Sequence, residues 1–210
     1  MQTSNGWDTR YEFKAVLVMS LAFGLVGLDR FILLPLLPSI SKDLGLNYTQ
    51  GNTLVSALAV AWGIAAIFAG SLSDHLGRRA VLVPSVVLFS LLSVFSGMAG
   101  ALSSLLLIRA LMGVFEGPVA STGVAVTVEA SHPKRRGMNN GFFQCSISFF
   151  GLAVAPILAT QLLEVTSWRN VFYIVGIPGL IVAVFLHETA PRKAGTSAHG
   201  EVSELDRVAS

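Results

Sequence analysis

Long apolar runs alternate with short polar breaks along most of this 210-residue chain. A helix needs about 20 mostly apolar residues to cross a bilayer, and on that criterion we predict six membrane-spanning helices, called spans 1 to 6. Their predicted ranges are 15–38, 52–72, 80–100, 103–128, 140–163 and 170–187. The pattern therefore predicts an all-α integral membrane protein. Residues 1–14 precede the six-helix domain (15–187), and residues 188–210 are polar and predicted to form a flexible tail.

Composition supports the membrane assignment, and the positions of the cations set its orientation. Only 12% of the residues are charged, whereas a soluble domain carries about 25%. If the N-terminus is cytoplasmic, ten of the fourteen Lys and Arg residues fall on the cytoplasmic side, two in outer loops and two inside spans. This bias predicts a multi-pass protein of the inner (plasma) membrane with both termini cytoplasmic.

The reactive side chains argue against an enzyme. Three of the four histidines lie outside the predicted spans and His187 is the last residue of span 6, at its cytoplasmic end, so no histidine dyad can form within the membrane. The single cysteine excludes an intrachain disulfide, and no spacing suits a zinc site. We therefore predict neither a metal nor another cofactor, and no nucleic-acid partner.

Four charged residues lie within spans: Asp29 and Arg30 in span 1, and Arg109 and Glu116 in span 4. Each costs roughly 2.5–3.5 kcal/mol on insertion scales, which marks it as a functional candidate. At 1.5 Å per residue, Asp29 lies ~15 Å, Arg109 ~9 Å and Glu116 ~20 Å below the outer surface. If spans 1 and 4 face each other, Asp29 can pair with Arg109. Arg30 and Glu116 would then face a shared cavity.

This arrangement suits the transport of an anion together with protons. An arginine without a fixed partner can grip a carboxylate through two hydrogen bonds, and a carboxyl group removed from water can exchange a proton near neutral pH. The predicted substrate-binding residues are Arg30, Arg109 and Gln144, and the predicted proton-coupling residues are Asp29 and Glu116. The alternative is that the four charges form two structural ion pairs that fix helix register.

A short charged stretch, Gly-Ser-Leu-Ser-Asp-His-Leu-Gly-Arg-Arg at residues 70–79, separates spans 2 and 3. Its two glycines permit a turn, and its charges must leave the hydrocarbon. We expect Arg78 to reach Glu129 at the inner end of span 4, within about 4 Å. The residues of this predicted gating loop are Gly70, Asp74, Gly77, Arg78, Arg79 and Glu129.

The same stretch resembles the loop 2–3 signature of the major facilitator superfamily, Gly-x-Leu-x-Asp-basic-x-Gly-Arg-Arg, with His75 at the basic position. Residues 36–45 look like the end of the family's first helix, and residues 168–179 look like the entry to its sixth. The resemblance implies a secondary transporter that works by alternating access between two six-helix halves. This chain resembles the N-terminal half, with its tail as the start of the central loop. A second half would be a partner or a continuation of the same protein.

Within that family, the intramembrane charges are similar to those of the organic anion/proton symporters. That likeness implies that Arg30 binds the substrate carboxylate and that Asp29 and Glu116 carry protons, so the partners would be a small organic anion, protons and the lipid bilayer. One alternative is half of a drug/proton antiporter, although the Gly-Pro-x-x-Gly-Gly of that group reads Ala-Pro-Ile-Leu-Ala-Thr at residues 155–160. The other is a truncated, non-transporting membrane interaction protein.

Overall fold

A computed structural model describes residues 8–190, whose regular structure is entirely helical. The helices are α1 (Thr9–Leu44), α2 (Tyr48–Leu76), α3 (Arg78–Gly97), α4 (Leu102–Ala130), α5 (Arg136–Ser148), α6 (Ala155–Val165) and α7 (Trp168–Thr189). A π-helical turn, Phe149–Val154, joins α5 to α6, so both belong to one span, Arg136–Val165. Residues 8–190 thus contain six helices long and apolar enough to cross a membrane, which confirms the predicted all-α, six-span fold class.

Most helix ends lie beyond the predicted span limits; the exception is α3, which ends at Gly97, before the predicted residue 100. Asp8 caps α1 by accepting hydrogen bonds from the amides of Arg10 and Tyr11, and Gly45 ends this helix with a φ of 63°. Residues 9–14 of the predicted N-terminal segment are therefore helical, as are the first two residues of the predicted tail, at the end of α7. Residues 191–210 of that tail lie outside the described residues.

The turn between α2 and α3 is shorter than predicted. α2 continues through residues 70–76, and only Gly77 separates it from α3. Gly77 has a φ of 95°, a conformation that other residues rarely adopt. Gly70 lies inside α2, so its predicted role in the turn is wrong. The physical reason is that one residue with positive φ is enough to reverse the chain here.

α1 and α4 form the centre of the bundle. α2 packs along α4, α5 packs along α1, and α3 packs against α7 behind them. On α4, the closest neighbour of a Cβ built at Gly113 would be the carbonyl oxygen of Leu58. A Cβ at Gly117 would lie 2.8 Å from the Cβ of Ala65. These two glycines therefore let α2 approach α4 more closely than any side chain would allow.

The Lys and Arg residues predicted to be cytoplasmic gather at one end of the bundle. Within residues 8–190 they are Arg10, Lys14, Arg78, Arg79, Lys134, Arg135 and Arg136. Ion pairs join the segments there, including Arg135 to Glu12 at 2.7 Å and Arg78 to Glu129 at 3.0 Å. We call this the basic end. Lys42 and Arg169 lie at the opposite end, where Arg169 pairs with Asp43.

Candidate functional site

Asp29 and Arg109 meet in the interior of the bundle, as predicted. Arg109 Nη1 lies 3.5 Å from Asp29 Oδ2, and the two side chains are 0% and 2% exposed. Ser93 of α3 donates its hydroxyl hydrogen bond to the other oxygen, Asp29 Oδ1. One carboxylate thus ties α1 to α4 and α3. A buried carboxylate needs both partners, because an uncompensated charge in the interior is costly.

An aromatic ring supports the buried arginine on its other side. The guanidinium carbon of Arg109 lies 4.8 Å from the ring centroid of Phe172 on α7, a cation–π contact. The arginine is completely enclosed by the bundle. In this arrangement a substrate cannot reach Arg109, which instead holds Asp29.

Arg30 follows Asp29 along α1 but points elsewhere, because successive residues of a helix lie about 100° apart. Its guanidinium carbon lies 4.8 Å from the ring centroid of Trp62 on α2. The side chain is only half-buried, and no carboxylate of residues 8–190 lies within ion-pair distance of it. Arg30 is therefore the member of the charged set that is partly exposed and has no ion-pair partner among residues 8–190.

Glu116 is completely buried on α4, and neither of its carboxyl oxygens has a hydrogen-bond partner. Asp29, Arg109 and Arg30 are the charged groups close enough to act on it electrostatically. The prediction that Glu116 and Arg30 face a shared cavity is wrong for this arrangement, because the neighbouring helices close over Glu116. The four residues nevertheless form one cluster, which we call the charge quartet.

Gln144, the third predicted substrate residue, is exposed on α5. No hydrogen bond or ion pair described for the chain joins it to the charge quartet. Three residues that contact the charge quartet, Ser93, Trp62 and Phe172, were not predicted from the sequence. Ser93 could have been found from the sequence, because Ser90, Ser93 and Ser96 are three residues apart and therefore mark one polar face of α3, which is buried. Nothing in the sequence marked the two rings as supports for arginines.

The predicted contact of the gating loop is confirmed. Arg78 Nη2 lies 3.0 Å from Glu129 Oε1 of α4, and Arg78 Nη1 lies 2.6 Å from Asp74 Oδ1. The same Nη1 donates to the hydroxyl of Ser73 at 2.6 Å. Arg79, the next residue, lies near His187 of α7. The loop thus ties the start of α3 to the ends of α2 and α4.

The described part of the chain contains no group of side chains suited to a metal ion. Between residues 8 and 190, no three His, Cys, Asp or Glu side chains lie close enough to hold an ion. The charge quartet contains two arginines, which would repel a cation.

Comparison with known proteins places the chain among membrane transporters. The sequence profile described as Major Facilitator Superfamily matches residues 19–207. The probable L-galactonate transporter of Escherichia coli strain K12 is 33% identical over 175 residues, which are 83% of this chain and 38% of that protein. The puromycin resistance protein pur8 of Streptomyces alboniger is 30% identical over 202 residues, or 96% and 39%. The chain thus spans about two fifths of the length of these relatives.

A solved structure shows the same fold. The inward-facing, unoccupied crystal structure of a bacterial homolog to the human lysosomal transporter Spinster superposes with a TM-score of 0.79 at 22% identity. The match covers 90% of this chain and 47% of the Spinster homolog. The six-helix bundle therefore corresponds to about one half of that fold.

Proposed function

This chain belongs to the Major Facilitator Superfamily of membrane transporters, and from that premise we propose that it supplies the substrate-binding half of a carrier for a small organic anion and protons. The transporter would work by alternating access, with a second six-helix half opposite the charge quartet. The observation that carries the proposal is Arg30, which is half-buried, rests on Trp62 and has no carboxylate partner within residues 8–190. A relative named for L-galactonate, a carboxylate sugar acid, supports the same substrate class.

Arg30 has the chemistry that carboxylate recognition requires. A guanidinium offers parallel N–H groups that match the two oxygens of a carboxylate. The ring of Trp62 covers one face of the guanidinium, so the hydrogen-bonding edge remains for the substrate. Arg109 cannot do the same work, because its guanidinium is enclosed between Asp29 and Phe172. In the proposal it holds Asp29 and does not contact the substrate.

Charge balance supplies the coupling to protons. The formal charges of the quartet sum to zero, and an anion on Arg30 leaves one negative charge in excess. Charges interact far more strongly in the protein interior than in water, so uptake of one proton by Glu116 or Asp29 stabilises the loaded state. Glu116 is the better acceptor, because neither of its oxygens has a hydrogen-bond partner, whereas one oxygen of Asp29 accepts a hydrogen bond from Ser93 and the other lies 3.5 Å from Arg109.

The test is anion-driven proton uptake into proteoliposomes that contain the chain together with its second half, with L-galactonate as the first anion. We expect Arg30→Ala and Glu116→Gln to abolish coupled uptake. Arg10→Gln, which removes an exposed cation far from the quartet, should leave it unchanged. Full uptake by either quartet variant would overturn these roles, and a chain that gives uptake with no second half would overturn the two-half arrangement.

The alternative is a drug/proton antiporter half, which the puromycin resistance relative favours. The same proteoliposomes distinguish the two mechanisms, because an antiporter releases protons when puromycin enters. A positive Arg30 at the site disfavours a cationic drug, so we expect no proton release. A chain that yields neither signal with its second half would instead fit a non-transporting interaction protein.

A further inference from the structure

An apolar groove runs between α1 and α5, starting at the basic end and leading toward the middle of the bundle. Two adjoining cavities of about 360 and 450 Å³ form it, and they share Leu17 and Phe142. The side chains along it are exposed, including Phe13 at 69%, Met138 at 68% and Phe149 at 61%. We call it the α1/α5 groove. An open groove with this lining requires an apolar occupant.

The mouth of the groove is polar, and two further cations lie next to it in the sequence. Glu12, which is only 3% exposed, accepts hydrogen bonds from Arg135 Nη2 and Asn139 Nδ2, each at 2.7 Å. This clamp neutralises Arg135 and joins α1 to the start of α5. Lys134 and Arg136 flank Arg135 in the sequence and are exposed, and Arg136 Nε donates a hydrogen bond to the carbonyl oxygen of Ser131 at 3.4 Å. Neither has a carboxylate of residues 8–190 within ion-pair distance.

We propose that the α1/α5 groove binds an anionic phospholipid, with its phosphate on Lys134 and Arg136 and one acyl chain along the groove. The dimensions agree with this occupant. From Met138 to Phe150 the helical rise is ~18 Å, close to the ~15 Å depth of hydrocarbon in one leaflet. The charges agree as well, because basic pockets between helices at a membrane surface recognise anionic head groups.

The second six-helix half does not compete for this groove in the proposed arrangement. Gln144 and Phe142 lie two residues apart on α5, and their side chains therefore point about 160° apart. Gln144 is predicted to contact the substrate, which the proposed function places between the two halves, so Phe142 and the groove would face the bilayer. The lipid proposal depends on the proposed function for this step alone, and its test does not require transport.

Cys145 lines the groove and is the only cysteine of the chain, so its reactivity reports whether the groove is occupied. The full chain is placed in nanodiscs of dioleoyl phosphatidylcholine, either alone or equimolar with dioleoyl phosphatidylglycerol. The modification rate with N-ethylmaleimide, which is uncharged, is then measured. Two cations near the head group should raise the affinity of the groove for an anionic lipid over phosphatidylcholine by roughly tenfold or more. We therefore expect markedly slower modification in the discs that contain phosphatidylglycerol.

Two matched double variants assign the effect to the mouth of the groove. Lys134→Gln with Arg136→Gln should remove the protection by phosphatidylglycerol. Arg10→Gln with Lys14→Gln, which removes the same charge from the same end of the bundle, should keep it. Thermal unfolding in phosphatidylcholine discs checks that both variants fold.

Three outcomes would overturn the proposal. Equal rates in both kinds of disc mean that the occupant is not an anionic lipid. Protection that survives in the Lys134 and Arg136 variant means that the head group binds elsewhere. Protection in phosphatidylcholine discs by added glycerol 3-phosphate, which has no acyl chain, means that the site binds a soluble phosphate. A copy of the chain or a second half over the groove would give the first outcome.

Discussion

At the scale of single residues, the neighbours Asp29 and Arg30 lie in opposite surroundings. Asp29 turns into the bundle, where Arg109 and Ser93 hold it, and Arg30 turns toward α2 and stays half-buried. The same 100° step along the helix separates a charge that is held by partners from one that is left without an ion-pair partner and that we propose binds the substrate. Each of the two arginines of the quartet rests on an aromatic ring, which limits the orientations of its guanidinium.

The ring of Trp62 should act as a positioning group for Arg30. Trp62→Ala removes a cation–π contact worth about 1 kcal/mol, so we expect the KM for the anion to rise roughly fivefold with kcat little changed. Trp62→Phe keeps a ring and should restore most of the affinity. Uptake kinetics in proteoliposomes give both constants. A fall in kcat alone, with KM unchanged, would contradict a positioning role.

Removing one charge of the buried pair Asp29 and Arg109 should destabilise the protein more than removing both charges together. Arg109→Met leaves Asp29 buried without a counter-charge and should cost about 3–5 kcal/mol of unfolding free energy. Combining Asp29→Asn with Arg109→Met removes both charges, and most of that loss should be recovered. Equilibrium unfolding in detergent measures all the variants. If the effects of the two single changes simply add in the double variant, the two residues are not coupled as the structure indicates.

At the scale of elements, the contact between α2 and α4 depends on glycine. Gly113 and Gly117 lie one turn apart on α4, and a side chain at either would overlap atoms of α2. This contact also places Trp62 of α2 beneath Arg30 of α1. The packing of two helices thus builds part of the proposed site on a third.

A single methyl group should disturb this contact. Gly113→Ala inserts an atom against the backbone of α2, and overpacking of this kind costs about 1–3 kcal/mol. Gly63→Ala on α2 is the matched control, because no atom lies within 4 Å of the added Cβ and alanine favours the helix by about 1 kcal/mol. The midpoint temperature of thermal unfolding should therefore be lower for Gly113→Ala, and unchanged or higher for Gly63→Ala. Equal shifts in both variants would argue against close packing at Gly113.

At the scale of the whole molecule, similar ion pairs fasten opposite ends of the bundle. Arg78 at the start of α3 pairs with Glu129 near the end of α4, and Arg169 at the start of α7 pairs with Asp43 near the end of α1. Likewise, α2 packs on α4 as α5 packs on α1. These correspondences are those of an inverted repeat of three spans within one half.

The orientation of the bundle can be measured directly. In a Cys145→Ser background, we expect cysteine at Gly100, an exposed position between α3 and α4, to react in intact cells with a membrane-impermeant maleimide. Cysteine at Pro133, exposed at the basic end, should react only after permeabilisation, because positive loops stay in the cytoplasm. The reverse pattern would overturn the predicted cytoplasmic termini.

The sequence alone determined the six spans, because hydrocarbon accepts only long apolar helices whose backbone groups are satisfied internally. It also identified the family through residues 70–79, since a charged turn between two spans admits few residue types. The contacts of Asp29 with Arg109 and of Arg78 with Glu129 were predictable from depth and from loop position along antiparallel helices.

Only the tertiary structure decided which charges are enclosed and which are accessible. Depth along a helix says how far a side chain lies from water, but its neighbours on other helices decide whether water or a substrate can reach it. For this reason Arg109 and Glu116 are enclosed, and Arg30 is left half-exposed on Trp62. The α1/α5 groove likewise exists only because two helices distant in sequence lie side by side.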